Sequence, residues 1–529
     1  MAGSDAKTRR EGIDGPTRVR GDGQLGGSVG VRRTVIRSFG SGVVAGLVLV
    51  ALMYLAKLII GTTPLPQLLQ QPILAVMPGF VFGFLIDTLQ HAGKVVEEAG
   101  IIVGMIVGLG MLGAAWGWAR KAWARPPQAL AFAAAGWALV AFVLLPISGD
   151  GFLGLNEGPT APLVWGGLFA AYGVVLQVSG DAAMGAPVGA DPGRRRMLRL
   201  MPIGIAALSA GGLVYELLPR WYQAVFKTPE AGLSGASQDI TPVKNFYVVS
   251  KNFSDPVVPE QGWTLSVGGL VNSPLHLSLA DLRALPSVTE YVTLECISNN
   301  VGGPLMSTGQ FTGVRLRDVV SMAVPQSSAT YARFKARDGY TESLPLSLIS
   351  AEPEILVAYS LDNAPLPTGH GFPARIVVPG HYGMKGPKWL DSIDLAGQDD
   401  GGYWESEGWD RRALVKTTAR FDVPKDGNIA KAGDEVRLAG VAFAGTRGIS
   451  KVEYSTDGGR NWSAADLRAP LSRLTWVLWD ANWTPRQEGT FVLQVRAVDG
   501  IGAPQEPTSS SSYPSGASGY HTIRVDVYG

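Results

Sequence analysis

The chain has a single cysteine, Cys296, among its 529 residues. One thiol excludes an intramolecular disulfide, and it excludes Cys-based zinc and iron–sulfur sites, which need paired sulfurs. Three roles remain open for Cys296: a nucleophile, a single soft metal ligand, or a buried apolar side chain, which residue type alone slightly favours. The net charge is also small, +1, which argues against a nucleic-acid partner.

Long apolar segments are concentrated in the first half of the chain. Residues 1–38 form a polar, Gly-rich tail with eight Lys or Arg, which we expect to be disordered. Each segment that follows approaches the ~20 residues needed to cross a bilayer. The pattern predicts an α-helical transmembrane bundle within residues 39–221, with spans at 39–61, 98–119, 127–148, 161–179 and 200–218.

The predicted spans lack two kinds of residue. None of the five histidines lies within them, so we expect no membrane haem, which would need paired axial ligands. No Asp, Glu, Lys or Arg lies at the middle of a span, so the pattern gives no sign of an ion path. We therefore expect the first half of the chain to act as an anchor.

Basic clusters orient the spans. With the basic tail inside, five spans keep the clusters at 120–125 and 194–199 inside and the acidic loop 149–160 outside. A sixth span at 72–90, which hydropathy favours, would instead put the 120–125 cluster outside and the second half of the chain in the cytoplasm. We therefore predict that residues 64–96 are a re-entrant or surface-lying segment and that the second half is extracytoplasmic.

Cys296 stands between a predicted strand and a polar loop. Residues 290–294 are rich in β-branched and aromatic side chains, which predicts a strand. Residues 298–303 combine Ser, Asn and Gly, which end a strand and leave polar side chains and backbone N–H groups around the sulfur. This setting favours a functional thiol.

Two sequence blocks resemble the sulfite oxidase family. The first is TLECISNNVGG, residues 293–303, followed by FTGVRLRDVV at 311–320, and the second is LPTGHGFPARIVVPGHYGMKGPKWLDSIDL at 366–395. The resemblance implies an α+β molybdopterin-binding catalytic domain at 240–421, in which the Cys296 thiolate binds molybdenum directly. It also implies a molybdenum–molybdopterin cofactor and two-electron oxygen-atom transfer on a small-molecule substrate.

The resemblance further implies which residues hold the cofactor. Asn245 and Tyr247 fall in the segment that opens the cofactor cleft, and His370 and Arg375 match pterin and phosphate contacts. An arginine suits a phosphate because it forms bidentate, charge-assisted hydrogen bonds. For His370 or Lys388 taken alone, an ordinary polar side chain remains the alternative. The other implied contacts are Gly383, Met384, Lys385 and Lys388.

The implied active-site tyrosine is Tyr340, in GYTESLP, with a half-buried loop tyrosine as the alternative. Sulfite oxidases hold their anion with several arginines, as a dianion requires in a partly dry pocket. Here Asn300 and Val301 stand where one arginine is expected, and only Lys385 keeps a positive charge. A less charged oxo compound, such as a sulfoxide, is therefore expected rather than sulfite.

From about residue 422 the chain has β periodicity alone. Short strands separated by Asp-Gly and Gly-Gly turns predict an all-β sandwich at 422–529. The segment GISKVEYSTDGGRNW resembles the immunoglobulin-like C-terminal domain of the same family, which implies a possible homodimer. Its tryptophans are expected in the core rather than at a ligand surface: Trp462, Trp476, Trp479 and Trp483.

The segment RRRMLR, residues 194–199, fits the twin-arginine export pattern. A cofactor inserted in the cytoplasm requires export of a folded domain, which favours export over a plain cytoplasmic anchor. The sequence thus predicts a multi-pass cell-membrane protein with both later domains extracytoplasmic and an unidentified electron-transfer partner. Two other functions stay open: a thiol hydrolase using Cys296 with His370 or His381 as base, and an anchored, non-enzymatic binding protein.

Overall fold

The computed structural model describes residues 25–70, 72–73, 93–122, 128–148, 151–184, 200, 204, 207, 211, 213–214, 235–252 and 255–529. Most of the predicted span at 200–218, nearly all of the segment 72–90 and the whole RRRMLR motif lie outside these residues. The described residues divide into two compact units, one within 1–72 and 97–218 and the other within 73–96 and 219–529.

The first unit is helical. Its elements are α1 (Leu25–Ile60), α2 (Leu65–Leu68), α3 (Gly93–Ala122), α4 (Ala129–Leu139), a π-helical turn (Val140–Leu144), α5 (Leu145–Ile147), a 3₁₀ turn (Phe152–Glu157) and α6 (Ala161–Met184). Among the described residues, four helices are long and apolar enough to cross a membrane: Thr34–Ile60, Val96–Ala122, Ala129–Ile147 and Ala161–Ala183. They lie where four of the five spans are predicted.

Helix α1 begins well before the predicted span. It starts at Leu25, so the expectation of a disordered tail over residues 1–38 does not hold for residues 25–38. The physical reason is that no proline interrupts residues 25–60, and a helix can continue through Gly and Arg when its following turns are stable.

Helices α1 and α3 pack closely and antiparallel. A Cβ at Gly113, near the end of α3, would lie 2.6 Å from the carbonyl oxygen of Ser38, near the start of α1. At the opposite end the Tyr54 hydroxyl donates to Glu98 Oε1 over 2.5 Å. Small residues allow this backbone approach, as at many helix pairs in membranes.

The second unit begins with a mixed α+β fold. Its strands are β1 (Thr264–Gly269), β2 (Leu275–Ser278), β3 (Ser287–Glu295), β4 (Met306–Arg315), β5 (Tyr331–Ala336), β6 (Thr341–Pro345), β7 (Leu356–Leu361), β8 (Ala364–Pro365), β9 (Arg375–Val377) and β10 (Leu390–Ala396). Its α-helices are α7 (Leu279–Ala284), α8 (Leu316–Met322), α9 (Leu346–Ala351) and α10 (Tyr403–Ser406), and its 3₁₀ turns are Val243–Asn245, Thr368–His370 and Gly383–Lys385.

These strands form two sheets around one core. The first has the order β2-β1-β10-β5-β6, with β1 and β10 parallel, and the second is antiparallel with the order β3-β4-β7-β8 and β9 beside β7. Helix α7 starts with a capping box of Ser278 and Asp281, which satisfies backbone N–H groups of its first turn. Leu265, Val357 and Ile393 lie in the shared apolar core.

The C-terminal part is a two-sheet β-sandwich. Its elements are β11 (Thr418–Val423), β12 (Asn428–Lys431), β13 (Val436–Phe443), a 3₁₀ turn (Gly445–Arg447), β14 (Ile449–Ser455), β15 (Ser463–Ala464), β16 (Asp466–Leu467), β17 (Val477–Trp483), β18 (Gly489–Asp499) and β19 (His521–Tyr528). The sheets have the orders β11-β13-β17-β16 and β12-β19-β18-β14-β15. Side chains of both sheets, such as Trp479 and Val495, share one core.

Two sequence expectations change in detail here. The predicted boundary at 421/422 falls inside β11, which pairs along its length with β13 and so belongs to the sandwich. Trp476 and Trp479 are buried as expected, whereas Trp462 and Trp483 are only half-buried because they lie at the edge of the sandwich core.

The α+β part and the sandwich share a buried apolar cluster. It joins Ile297 and Met384 of the α+β part with Phe443 and Trp476 of the sandwich. The backbone N–H of Thr293 also donates to the Leu474 carbonyl over 3.0 Å. The strand that leads to Cys296 is therefore held from the sandwich side as well as by its own sheet.

Candidate active site

Cys296 follows β3 directly and begins a loop that polar contacts hold in place. Its N–H donates to the Leu305 carbonyl over 3.0 Å, and its carbonyl accepts from the Asn299 N–H over 3.0 Å. The buried Asn299 side chain donates to Glu295 Oε1 over 3.0 Å and accepts from the Leu305 N–H over 2.9 Å. The loop geometry is thus fixed by its own residues.

The sandwich fixes the far end of the same loop. Gly302 has a φ of 78°, and a Cβ there would overlap the His521 ring, so the position requires glycine. Arg420 Nη1 donates to the Gly303 carbonyl over 2.7 Å. The buried Arg420 is itself held by Asp422, with 3.0 Å between Nε and Oδ1.

Phenols, rather than cations, surround the Cys296 thiol. Its sulfur lies 3.1 Å from Ser298 Oγ, and burial raises its pKa. Burial also raises the pKa of Tyr247, Tyr340 and Tyr382, and nearby negative charge, including that of a Cys296 thiolate, raises each further. The phenols therefore stay protonated at neutral pH, and the thiol stays protonated unless a bound metal ion ionises it.

The turn Gly383–Lys385 lies against Tyr247 and the end of β3, directly before Cys296. A Cβ at Gly383 would lie 2.8 Å from Tyr247 Oη and 3.5 Å from the Glu295 carbonyl oxygen, so glycine permits this approach. The Met384 carbonyl accepts a hydrogen bond from Tyr340 Oη over 2.7 Å. Tyr247, Tyr340 and the turn, all named by the resemblance, are therefore brought together beside the thiol.

A second group of predicted residues forms a cationic cluster. Arg375 is 6 % exposed, and its guanidinium donates to the carbonyls of His370 and Gly386, each over 3.3 Å. Burial lowers its pKa to about 10. Among the described residues it has no carboxylate partner, and a buried cation of this kind costs free energy unless an anion accompanies it.

His370 and Lys388 complete this cluster. Burial, then the charges of Arg375 and Lys388, lowers the pKa of His370 to about 4, so its imidazole is neutral. Lys388 Nζ donates to the Val249 carbonyl over 3.1 Å and the Gly369 carbonyl over 3.0 Å. The three side chains together create a dry, positively charged region suited to a phosphate group.

Phe246 joins the two groups into one surface. Its ring stacks on Tyr247 with centroids 5.9 Å apart and meets His370 edge-on at 5.1 Å. Asn245, at the end of the 3₁₀ turn Val243–Asn245, is half-buried beside them, and its side chain makes no hydrogen bond to the described residues.

Lys385 differs from its sequence expectation. Its ammonium donates to Glu342 Oε1 over 2.7 Å and also to Glu405 Oε1, and all three side chains are buried. The one positive charge that the sequence retains near the substrate position is therefore already compensated by two carboxylates.

Several residues of the site carry no sequence signal. Glu342 and Glu405 lie 63 positions apart in the chain and meet only through Lys385. Arg420 and His521 reach the Cys296 loop from the sandwich. Of these residues, only Glu342 could have been suspected from the sequence, because it lies two residues after Tyr340.

The geometry does not provide the thiol–imidazole pair that a hydrolase needs. In the part of the chain that is described, the Cys296 sulfur has Ser298 as its hydrogen-bonding side chain. His381 Nδ1 instead lies 3.3 Å from the Pro379 carbonyl, and burial lowers the pKa of both His370 and His381.

Comparison with known proteins decides the family. Residues 252–404 match the oxidoreductase molybdopterin binding domain, and residues 417–515 match the Mo-co oxidoreductase dimerisation domain. Sulfite oxidase of Arabidopsis thaliana is 30% identical over 323 residues, covering 50% of this chain and 81% of that protein. The chain belongs to the sulfite oxidase family. It is therefore a molybdopterin-dependent oxidoreductase, which sets aside the hydrolase and the non-enzymatic binding protein.

Other members of the family are similar over shorter shares. The mitochondrial sulfite oxidase of Mus musculus is 30% identical over 286 residues, covering 44% of this chain and 51% of that protein, so the chain spans about half of its length. The uncharacterized oxidoreductase YuiH of Bacillus subtilis is 35% identical over 159 residues, which cover 30% of this chain and 78% of that protein. The sulfane dehydrogenase SoxCD of Paracoccus pantotrophus superposes with a TM-score of 0.48 at 19% sequence identity, and the superposition covers 56% of this chain and 85% of that chain.

The described residues fit a molybdopterin cofactor. A buried guanidinium without a carboxylate, beside a neutral histidine and a lysine, suits the phosphate of the cofactor. No group of three or more His, Cys, Asp or Glu side chains in the described chain is arranged to hold a metal ion. A metal at Cys296 therefore needs the cofactor to provide its other ligands.

Proposed function

We propose that this sulfite oxidase family enzyme transfers an oxygen atom to or from a small uncharged oxo compound, a sulfoxide rather than sulfite. The observation that carries the substrate class is the pairing of Lys385 with Glu342 and Glu405. Asn300 and Val301 add no charge on the Cys296 loop. A dianion entering this region would find no uncompensated cation, and its desolvation would cost several kcal/mol.

Each predicted cofactor-binding residue has a role in this proposal. Cys296 ligates molybdenum, and a soft thiolate suits that metal. Arg375, His370 and Lys388 hold the phosphate and pterin, and Asn245, Tyr247 and the turn Gly383–Lys385 line the cleft. When bound, the cofactor supplies a metal that cycles by two electrons and exchanges an oxygen atom. The chain orients it, excludes water and handles protons.

The reaction balance requires proton handling. Reduction of a sulfoxide breaks its S–O bond and consumes two electrons and two protons, which leaves a thioether and one water. The electrons come from an external one-electron carrier, and the protons come through the protein. Oxidation runs the same balance in reverse.

Substrate class is tested with the full chain purified from a host that makes molybdenum cofactor. With reduced viologen as electron donor, we expect dimethyl sulfoxide to be reduced, whereas sulfite with ferricyanide gives a kcat/KM at least 100-fold lower. Val301→Arg should raise the sulfite kcat/KM, and Val257→Arg, at a position 84% exposed, should not. Faster turnover of sulfite than of any sulfoxide in the wild type would overturn the substrate assignment.

We also propose that the helical unit anchors the enzyme in the cell membrane with five spans and with both later domains outside the cytoplasm. Large apolar side chains on α1 and α6 are exposed, including Ile59 at 73% and Leu163 at 79%, which suits contact with lipid. Cell fractionation with carbonate extraction tests the anchor. Release of the full chain by carbonate would contradict it.

The antiparallel packing of α1 and α3 supports a five-span topology. The chain leaves α1 and enters α3 at the same end of the pair, so the segment between them makes an even number of crossings. Arg120 at the end of α3 pairs with Asp181 of α6 over 2.9 Å, which agrees with basic clusters gathered at one end. Reporter fusions after residues 148 and 199 distinguish the topologies, because five spans put the first outside and the second inside.

Two features of the proposal concern export and assembly. The RRRMLR motif serves as a twin-arginine signal for the folded, cofactor-loaded domains, so replacing residues 194–195 by two lysines should leave those domains in the cytoplasm.

The dimerisation-domain match supports a homodimer through the immunoglobulin-like sandwich. Light scattering of the detergent-solubilised chain should give twice the protomer mass after subtraction of detergent. A protomer mass would contradict this.

A further inference from the structure

Two buried carboxylates share a single buried ammonium beside Tyr340. Lys385 Nζ is bonded to Glu342 and Glu405, and the exposed fractions of the three side chains are 6%, 0% and 2%. With both carboxylates ionised, the trio would carry a net negative charge away from water, which is costly. One of the two carboxyl groups is therefore expected to hold a proton.

Of the two carboxyl groups, Glu342 has fewer hydrogen-bond partners to stabilise a negative charge. Its Oε1 accepts from Lys385 and from the Ser343 N–H, whereas its Oε2 is buried and has no hydrogen-bond partner in the described chain. Gly402 packs against this carboxyl so closely that a Cβ there would lie 2.7 Å from Oε2. Burial raises the pKa of Glu342 to about 8.

Glu405 faces the surface end of the trio. Its Oε2 accepts from the Gly402 N–H over 3.1 Å and lies 4.0 Å from Nε of Arg411, whose side chain is 64% exposed. Arg411 also pairs with Asp399 over 3.3 Å. The trio therefore extends from a dry carboxyl to groups that water reaches.

The trio lies beside Tyr340. Burial raises the pKa of the Tyr340 phenol, and the negative charges of Glu342, Asp338, Glu405 and Cys296 raise it further. Tyr340 Oη is bonded to the Met384 carbonyl, one residue before Lys385. Charged and titratable groups around the trio among the described residues include Tyr340, Asp338, His381, Asp399 and Arg411.

We propose that Glu342 stores the proton consumed or released in the two-electron chemistry beside Cys296, and that Lys385 and Glu405 exchange that proton with solvent near Arg411. In the reductive direction, the Glu342 carboxyl releases one proton toward the substrate oxygen, a second proton comes from solvent, and the oxygen leaves as water. Lys385 then passes a proton to Glu342 Oε1, and solvent restores the Lys385 proton through the Glu405 carboxylate. This inference rests on the proposed oxygen-atom transfer, for which the external carrier supplies both electrons.

The test compares three variants of the holoenzyme: Glu342→Gln, Glu405→Gln and the control Glu354→Gln. Glu354 is the matched control because its Oε2 is likewise buried without a partner, but its Oε1 pairs with the exposed Arg473 over 2.6 Å, away from the trio. Glutamine keeps the shape of a protonated carboxyl, so each variant should fold.

The first readout is infrared absorption of the oxidised holoenzyme. We expect a protonated-carboxyl C=O absorption that shifts in D₂O and is lost as the pH rises through about 8, present in Glu354→Gln and absent in Glu342→Gln. Glu295, whose pKa burial raises to about 7, gives a separate absorption that both variants keep. An absorption that still titrates near pH 8 in Glu342→Gln, or none in the wild type, would overturn the proposal.

The second readout is single-turnover oxidation of the reduced enzyme by sulfoxide. Loss of a positioned proton donor should slow this step in Glu342→Gln by about 10²-fold with an unchanged KM. Glu405→Gln should slow steady-state turnover while leaving the first turnover and the infrared band intact. An unchanged single-turnover rate in Glu342→Gln would contradict the proposal that Glu342 stores the proton used in the reaction. If the wild type binds molybdenum but turns over no sulfoxide, the proposed function is wrong. The infrared spectra still show in that case whether Glu342 holds a proton.

Discussion

The Tyr340 hydroxyl donates a hydrogen bond to the carbonyl oxygen of Met384 over 2.7 Å. This bond ties the segment GYTESLP to the turn Gly383–Lys385, which approaches Cys296 through Gly383. The resemblance implies an active-site role for Tyr340. Because its phenol is already engaged with Met384, we propose that it acts by positioning that turn, which lies against Tyr247 through Gly383.

Tyr340→Phe should therefore loosen the turn rather than remove a reacting group. We expect a loss of about 1–3 kcal/mol in the free energy of unfolding, because the buried Met384 carbonyl is left unpaired. Molybdenum content should fall, while kcat per bound molybdenum changes less than 10-fold. Tyr331→Phe, a tyrosine on β5, is the control. A fall of 100-fold or more in kcat per molybdenum at full occupancy would mean that the phenol acts on substrate.

Arg375→Met tests the cationic cluster. The variant removes a buried cation that has no carboxylate partner in the described chain, so the fold should be as stable as the wild type or more stable. Cofactor retention should fall more than 10-fold, measured as molybdenum by mass spectrometry and as oxidised pterin by fluorescence. Arg317→Met, at an exposed site on α8, should retain both. Full cofactor content in Arg375→Met would exclude Arg375 as a phosphate ligand.

Gly302→Ala tests the contact between the Cys296 loop and the sandwich. Its left-handed φ alone costs an L-residue about 1–2 kcal/mol, and the overlap with His521 adds about 1–3 kcal/mol. Gly427→Ala has a similar φ of 76° and open space, so it should show only the first cost. Chemical denaturation of both variants gives the difference. Equal losses would mean that His521 does not constrain the loop.

The raised pKa of Glu342 leads to a prediction for how the free energy of unfolding depends on pH. Its folded pKa of about 8 lies above the ordinary glutamate value of 4.5, so between these values the folded chain keeps a proton that the unfolded chain has released. Stability therefore falls as the pH rises through this window. The buried His370 and His521, with pKa values lowered to about 4, act in the opposite direction only below about pH 6.5.

The window from pH 6.5 to 8 lies above the range in which the histidines act, and leaves Glu342 together with Glu295, whose pKa burial raises to about 7. The free energy of unfolding should drop by about 2 kcal/mol across it, from 1.36 kcal/mol per pH unit, and Glu342→Gln should remove most of that drop. Denaturation at several pH values in detergent measures it. A wild-type stability that rises over this window would show that Glu342 is ionised throughout.

Local patterns were enough to predict the parts of this molecule that local residues determine. The β-branched and aromatic residues before Cys296 form β3, as predicted, and four of the predicted apolar spans fall on long helices. Cys296, His370 and Arg375 came from two motifs whose residues do lie along one surface. The identity of the family rested on those same motifs.

Contacts between distant segments could not be predicted. Lys385 carries a charge in the sequence, but its neutralisation depends on Glu342 and Glu405, which only the fold brings to it. Likewise, His521 follows the Ser-rich run at 509–519 and reaches Gly302 through the docking of the sandwich. Such pairings depend on tertiary packing that no periodicity encodes.

The most direct test of the account is molybdenum content per protomer of the full chain and of Cys296→Ser, each purified from a host shown to load a known molybdoenzyme. We predict near-stoichiometric molybdenum in the wild type, and in Cys296→Ser a loss of oxygen-atom transfer with retained fold and altered metal spectroscopy. A wild type without molybdenum, or a serine variant with undiminished activity, would contradict the assignment of Cys296 as the molybdenum ligand.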